Sequence, residues 1–246
     1  MKVKIGKFGL VNNFLPYMYL EGDFEIIESN PREMAIKLIS GEIDYAPVPA
    51  YFYLKNKEKL RHYSFCIASD GEVLSVVVVS RKNRIGDCIA VTSETMTSIN
   101  LLKIILKENN LNVKLIPAST NKAEELLKLA DSALLIGDEA IKARMIYRVV
   151  MDLGEEWKDI TGYPMVFGLS TSLNIKDLSF VDNALIKSIE ESMKKFDEVV
   201  EVASNQFKLP PEFLRKYFKI LIYRLGKKER KGLEEFESRC IELNLL

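Results

Sequence analysis

The stretch that best defines the fold is residues 89–138, IAVTSETMTSINLLKIILKENNLNVKLIPASTNKAEELLKLADSALLIGD. Apolar residues recur at helical spacing between Ser98 and Glu108, and a second helix is indicated at 121–129. Short apolar runs typical of strands flank these helices at 89–91, 113–116 and 132–136. This alternation predicts an α/β protein with parallel strands.

A similar series opens the chain. Val3–Phe8 and Phe24–Glu28 are predicted strands. Asn30–Glu33 predicts a helix start, with Asn30 as cap, proline at the first helical position and Glu33 completing a capping box. Gly41 ends that helix, and Ile43–Val48 is the next strand, predicted to be parallel to the preceding one.

Two apolar strands, Val73–Val79 and Tyr163–Leu169, bracket the series at 89–138 and suggest that the chain crosses twice between two lobes. We therefore expect lobe 1 to contain 1–79 and 168–246, and lobe 2 to contain 80–167. The remaining sequence is helical, with periodic apolar positions. Its predicted helices are 182–204, 210–223 and 227–243.

The composition of the chain argues against several classes of function. Lysine plus arginine and aspartate plus glutamate number 35 each, so no general charge favours nucleic acid or an anionic membrane. Because no export signal or membrane-length apolar run is present, we expect a cytoplasmic protein. Three scattered cysteines and one histidine, with no Walker or dinucleotide-binding motif, predict neither metal nor cofactor.

The first candidate site is the loop Asn12–Pro16, which follows the first strand. Ligands of open α/β sheets bind beyond the carboxyl ends of strands, and asparagine offers an uncharged donor and acceptor. Asparagine is also a common turn residue, so the loop is compatible with a simple turn.

The second candidate is Ser93–Ser98, which carries four hydroxyl side chains just before a helix. A helix N-terminus with added hydroxyls suits a carboxylate or phosphate. The alternative is plain N-capping by Thr97 or Ser98.

Other conspicuous residues have plain structural interpretations. Ser75 lies in an apolar strand and is compatible with a hydrogen-bonded core serine. Asp138 is placed to cap a helix beginning near Glu139. Trp157 is expected in the core, and His62 at the surface. The aromatic run 51–53 either packs internally or lines a cleft.

An ordered set of short motifs resembles the chorismate dehydratases of the futalosine route to menaquinone. These motifs occupy 6–16, 41–48, 68–80, 93–98, 135–138, 152–158 and 161–167, and the resemblance covers about residues 3–170.

The resemblance implies a type II periplasmic-binding-protein-like fold with a hinge and an interlobe cleft. It implies a cofactor-free lyase that converts chorismate to 3-[(1-carboxyvinyl)oxy]benzoate. The family's catalytic asparagine falls on Asn12 or Asn13, because one residue is inserted here. The substrate contacts that it implies or that we add as candidates are Ser75, Ser93, Thr95, Thr97, Ser98, Gly137, Asp138, Tyr163 and Phe167.

Two departures from the family pattern keep alternatives open. Met96 stands where the family often has arginine, and the last motif ends in Phe167–Ser170 rather than in tryptophan. The chain is thus a chorismate dehydratase, a divergent relative with another substrate, or a non-catalytic cytoplasmic binding protein for a small carboxylate. A related naphthoate synthase uses a histidine at a position that His62 does not match. The predicted partner is a small anionic metabolite, without nucleic acid or membrane, and the oligomeric state stays open.

Overall fold

The computed structural model describes residues 2–92 and 95–246. The chain divides into two compact units, each assembled from two separate stretches of sequence. The first unit contains Met1–Ala68 and Val166–Lys227, and the second contains Ser69–Met165 and Lys228–Leu246.

The elements are numbered along the chain. The strands are β1 (Val3–Phe8), β2 (Phe24–Ser29), β3 (Tyr45–Pro49), β4 (Leu60–Ser69), β5 (Val76–Ser80), β6 (Cys88–Thr92), β7 (Lys114–Ala118), β8 (Ser132–Ile136), β9 (Arg148–Asp152), β10 (Met165–Leu173) and β11 (Leu221–Arg224). The helices are α1 (Phe14–Tyr17), α2 (Pro31–Ile39), α3 (Ala50–Lys55), α4 (Thr97–Glu108), α5 (Ala123–Leu129), α6 (Gly137–Ala143), α7 (Leu153–Thr161), α8 (Ser179–Lys194), α9 (Phe196–Phe207), α10 (Pro211–Ile220) and α11 (Lys227–Glu242). Among the helices formed by the described residues, none has the length and hydropathy that a membrane crossing needs.

The first unit is built on a six-stranded sheet with the order β11-β4-β10-β3-β1-β2. β1 pairs in parallel with both β2 and β3, which confirms that the first predicted strands share one orientation. β1 lies between the other two, and β10 returns antiparallel to β3. The carboxyl end of β1 therefore leads directly into the asparagine loop.

Helix α2 begins with the predicted Asn30 cap and ends before Gly41, but Glu33 does not complete the predicted capping box. The Asn30 side chain accepts a hydrogen bond from the Glu33 N–H at 2.9 Å, and Pro31 occupies the first turn. The Glu33 carboxylate accepts from the Ser29 hydroxyl at 2.7 Å. Gly41 follows the helix with φ of 77°, a left-handed conformation that favours glycine.

The second unit is built on a five-stranded sheet with the order β7-β6-β8-β5-β9. β6 pairs in parallel with β7 and β8, as the alternating sequence at 89–138 predicts. β5 runs antiparallel to β8 and β9. Apolar side chains from both β5 and β8 join those of α5 and α6 in one buried cluster.

Helix α11 packs against α7 and the segment that follows it. The Phe236 ring lies edge-on to Trp157, with centroids 6.0 Å apart. A Cβ atom at Gly232 would lie 2.0 Å from the Pro164 carbonyl oxygen, so only glycine fits this contact. Arg239 forms an ion pair with Glu108 of α4 at 2.6 Å.

The two units differ from the predicted lobes at three places. Val166 and Phe167 lie in the first unit instead of in lobe 2. Residues 69–79 lie in the second unit because β5 is hydrogen-bonded between β8 and β9. Residues 228–246 also lie there, because α11 packs on Trp157 rather than with the other C-terminal helices.

Several local predictions also need correction. The helix predicted at 182–204 is two helices, α8 and α9, and the last residues of the helix predicted at 210–223 form the strand β11. The strand expected at Val73–Val79 begins only at Val76. Leu60–Ser69, for which we predicted no strand, forms β4, a ten-residue strand inside the first sheet. His62 lies on it, half-buried and edge-on to Tyr53, rather than at the open surface.

Candidate functional site

The two asparagines that follow β1 have different surroundings. Val11–Asn13 is a single 3-10 turn. Asn13 is fully buried; its Oδ1 accepts the Phe8 N–H at 3.3 Å, and its Nδ2 donates to Asn12 Oδ1 at 3.0 Å. Asn12 is only half-buried. Asn13 therefore holds the turn together and orients the side chain of Asn12.

The elements around this turn are firmly packed. The Tyr17 hydroxyl donates to the Gly6 carbonyl at 2.8 Å, and the Ser192 hydroxyl of α8 donates to the Leu15 carbonyl at 2.8 Å. The Phe14 ring meets Phe207 edge-on at 5.6 Å. Burial, with a smaller effect of Asp182, raises the pKa of Tyr17, so its hydroxyl stays protonated. These contacts fix the position of the turn.

The hydroxyl-rich segment forms the start of α4. Thr95, Thr97 and Ser98 are all buried, and α4 begins at Thr97. Met96 stands at the N-cap position without a side-chain cap bond. The Ile99 N–H donates to Thr95 Oγ1 at 3.2 Å, so the hydroxyl that caps the first turn comes from Thr95 and not from the expected Thr97 or Ser98. Thr97 and Ser98 lie within that turn. The predicted contact Ser93 lies outside the described residues.

Ser75 and Gly137 meet through their backbones. The Gly137 N–H donates to the Ser75 carbonyl at 2.7 Å, and Gly137 has φ of 59°. Ser75 is 2% exposed and precedes β5 instead of lying within a strand. Asp138 lies in the first turn of α6, which begins at Gly137 with Ile136 as its N-cap. The expected capping role of Asp138 is therefore wrong.

The motif at 152–158 has a structural role. Asp152 is buried, caps α7, and accepts hydrogen bonds from the backbone of residues 73 and 74. Burial raises the pKa of Asp152, and hydrogen bonds from backbone N–H groups offset part of that effect. Trp157 is fully buried, as predicted, and its Nε1 donates to the Pro164 carbonyl at 3.3 Å.

The remaining aromatic candidates are half-buried. Tyr163 follows α7 in the second unit, with its N–H donating to Thr161 Oγ1 at 3.1 Å. Phe167 lies on β10 in the first unit. The candidate residues are therefore distributed over both units. Asn12, Asn13 and Phe167 belong to the first unit, and the other described candidates belong to the second.

One charged residue near Ser75 was missed by sequence reasoning. Arg144, just after α6, donates from Nη1 to the carbonyl of Leu74 at 2.9 Å. No motif contains this arginine, and 70 residues separate it from its partner. Only the folded arrangement of α6 beside the segment before β5 reveals the contact.

Solved structures show which fold this chain shares. A protein of Archaeoglobus fulgidus superposes with a TM-score of 0.84 at 18% identity, over 100% of this chain and 98% of that one. The alkanesulfonate-binding protein SsuA of Xanthomonas axonopodis pv. citri, solved bound to MOPS, gives 0.74 at 14% identity, over 100% and 94%. These similarities confirm the predicted periplasmic-binding-protein-like fold.

Sequence similarity then gives the family. The chain belongs to the menaquinone biosynthesis family, whose model matches residues 3–242. A chorismate dehydratase of Thermus thermophilus is 31% identical over 242 residues, which cover 89% of this chain and 88% of that protein. The resemblance inferred from the ordered motifs is confirmed, and it extends into the C-terminal helices.

Proposed function

We propose that this protein is a cofactor-free carbon–oxygen lyase that dehydrates chorismate to 3-[(1-carboxyvinyl)oxy]benzoate. The observation that carries the proposal is the 31% identity to a chorismate dehydratase across 89% of the chain. Membership of the menaquinone biosynthesis family along residues 3–242 supports it.

The reaction is a simple elimination. A proton leaves the ring carbon that bears the enolpyruvyl ether, and the hydroxyl leaves the neighbouring carbon, so that one water is released and the ring becomes aromatic. Aromatisation makes the products stable, so the protein has to orient the ring and assist the proton and the hydroxyl as they depart.

The two asparagines are proposed to have different roles in the reaction. Asn12 is half-buried with its Oδ1 held by Asn13, so its amide is the group proposed to contact the ring and the departing hydroxyl. Asn13 is fully buried and bonded within the turn, which makes it a positioning residue.

The start of α4 is proposed to bind a substrate carboxylate. N–H groups at a helix N-terminus and the positive end of the helix dipole favour an anion. Thr97 and Ser98 add hydroxyl groups at that end, and Ser93 is proposed to join them. Thr95 shapes the turn by capping it. Ser75, Gly137, Asp138, Tyr163 and Phe167 are proposed as further substrate contacts.

Purified protein incubated with chorismate tests this function. We expect loss of the diene absorbance, together with a product lighter by one water in mass spectrometry. Stabilisation by chorismate without turnover would instead identify a binding protein. Neither turnover nor stabilisation would exclude chorismate as the substrate.

The asparagines provide a matched pair of variants. Asn12→Ala should lower kcat by about 10² to 10³-fold, the usual range for losing one hydrogen-bond donor to a reacting group, while the unfolding midpoint stays near the parental value. Asn13→Ala should also lower stability, by about 1–3 kcal/mol, because the buried Phe8 N–H loses its partner. Full turnover in Asn12→Ala would contradict the assignment.

A further inference from the structure

Leu74 has an unusual backbone conformation next to a proposed site residue. Its φ is 63°, in the left-handed region, and its side chain is 1% exposed. This region is unfavourable for a residue with a Cβ atom, and such residues persist only when their surroundings hold them. Leu74 directly precedes Ser75, so its conformation sets the direction of the Ser75 peptide.

A carboxylate holds the N–H side of this segment. Asp152 Oδ2 accepts the Leu74 N–H at 2.8 Å, and Oδ1 accepts the Val73 N–H at 3.0 Å. Oδ1 also accepts the N–H groups of Gly154 and Glu155 at the start of α7, at 3.0 and 3.3 Å. The carboxylate therefore anchors the segment to a helix end.

The guanidinium of Arg144 binds a carbonyl group of the same segment. Arg144 Nη1 donates to the Leu74 carbonyl at 2.9 Å, and the next carbonyl, of Ser75, accepts from the Gly137 N–H at 2.7 Å. Gly137 and Arg144 stand at the two ends of α6. The two carbonyls are thus fixed by one short helix, while the two N–H groups of residues 73 and 74 are fixed by α7.

The turn before Leu74 packs closely against α7. A Cβ atom at Gly154 would lie 2.4 Å from the Gly71 carbonyl and 2.7 Å from Ser69 Oγ. The turn and Val73 lie against Gly154 of α7, and β5 begins at Val76, so Leu74 and Ser75 join two packed segments.

We infer that Asp152 and Arg144 are positioning residues for the reaction, which hold Leu74 left-handed so that Ser75 keeps its orientation towards substrate. This inference rests on the proposed function, in which Ser75 contacts chorismate. Without either charged partner, Leu74 relaxes to an ordinary backbone conformation and Ser75 moves. A displacement of about 1 Å costs about 10²-fold in rate.

Conservative variants separate the contribution of Asp152 from that of Arg144. Asp152→Asn keeps the oxygen that caps α7 but turns an NH₂ group towards the Leu74 N–H, so it removes that one bond selectively. Arg144→Met removes the donor to the Leu74 carbonyl, and Arg144→Lys keeps a positive donor on a flexible chain. Arg148→Met, an exposed arginine on β9, is the matched control.

The measurements are kcat and KM for chorismate, at a temperature where unfolding curves show every variant folded. Asp152→Asn and Arg144→Met should lower kcat/KM by about 10 to 10²-fold. Arg144→Lys should recover part of that loss, and Arg148→Met should match the parent. Parental kinetics in folded Asp152→Asn and Arg144→Met would overturn the inference.

A double-mutant cycle tests whether Arg144 acts through Ser75. In a Ser75→Ala background, Arg144→Met should cost less than about twofold, because there is no hydroxyl left to position. If the full loss persists in that background, Arg144 acts in another way and the inference fails.

Hydrogen exchange distinguishes this failure from failure of the proposed function. Without chorismate, the amides of Val73 and Leu74 should exchange faster in Asp152→Asn and Arg144→Met than in the parent, while those of β8 stay unchanged. A parent without turnover refutes the proposed function and, with it, the positioning role. Unchanged exchange at 73 and 74 in both variants refutes the inference on its own.

Discussion

Each unit contains a buried aspartate that accepts four hydrogen bonds, but the two serve different purposes. Asp182 of α8 accepts from the hydroxyls of Tyr45 and Ser170 at 2.6 and 3.0 Å, and from the N–H groups of Ser64 and Phe65 at 2.9 and 3.0 Å. These donors lie on β3, β10 and β4, three neighbouring strands of regular conformation. Asp182 therefore fastens a helix to a sheet.

Asp152 accepts only backbone N–H groups, and one of them belongs to the left-handed Leu74. Its partners lie before β5 and at the start of α7, outside regular strands. The comparison separates a carboxylate that stabilises packing from one that imposes a local conformation. The first should matter mainly for stability, and the second mainly for the site.

The largest expected effect is on stability in the first unit. Asp182→Ala removes an acceptor from four donors, of which the Ser170 hydroxyl keeps another, the Phe65 carbonyl, and we expect a loss of about 3–5 kcal/mol in the free energy of unfolding. Urea unfolding followed by circular dichroism measures it. Tyr45→Phe, which removes one donor, should cost about 1–3 kcal/mol. A loss below 1 kcal/mol in Asp182→Ala would remove the contrast between the two aspartates.

In the second unit, α11 packs on Trp157 and on the segment that follows α7. Gly232→Ala brings a Cβ atom to 2.0 Å from the Pro164 carbonyl, so α11 must shift, at a cost of about 1–3 kcal/mol. Burial raises the pKa of Cys240 on this helix to about 12, which keeps its thiol unreactive. We expect faster alkylation of Cys240 in Gly232→Ala, whereas Lys231→Ala, an exposed change on the same helix, should alter neither quantity.

Asp152→Asn should have a smaller effect on stability than Asp182→Ala. Oδ1 and the α7 cap are kept, and only the bond to Leu74 is lost, so we expect about 1–2 kcal/mol. The same urea experiment measures it. A loss equal to that of Asp182→Ala would show that both aspartates are supports of the same kind.

A third aspartate, Asp44, should have the smallest effect on stability. Partial burial acts to raise the pKa of Asp44, but hydrogen bonds from Lys176 and the Lys4 N–H outweigh it and lower the pKa. The unfolded chain then binds the proton more readily, so the stabilisation is present above pH 4 and is lost as the pH falls below it. Because the partner Lys176 is exposed and the ion pair is reached by solvent, we expect less than about 1 kcal/mol. Asp44→Asn should flatten the acid limb of the stability curve, and an unchanged limb would contradict this.

Local signals allowed much of the fold to be predicted. The Asn30 cap, the two helix–strand series and the burial of Trp157 all depend on neighbouring residues or on periodicity, and the structure confirms them. β4 was missed because Arg61, His62 and Ser64 interrupt its apolar residues without the alternation of a half-buried strand. Its pairing partners are distant in sequence.

The site was less predictable, because its geometry depends on long-range contacts. Motifs located the asparagine turn and the start of α4, but not which asparagine is buried or which threonine caps. The bonds from Asp152 and Arg144 to Leu74 span 78 and 70 residues. No periodicity or capping rule connects such positions, so Leu74 looked like an ordinary strand residue.

The way the chain is shared between the units has a consequence for the order of synthesis. The ribosome makes residues 228–246 after every other part of the second unit, although Phe236 of this segment packs on Trp157. The core of the second unit therefore cannot be completed until α11 is synthesised, and the apolar face of α7 stays uncovered during translation. A nascent chain stalled before residue 228 should expose this face to chaperones, and release of the last helix should complete the core.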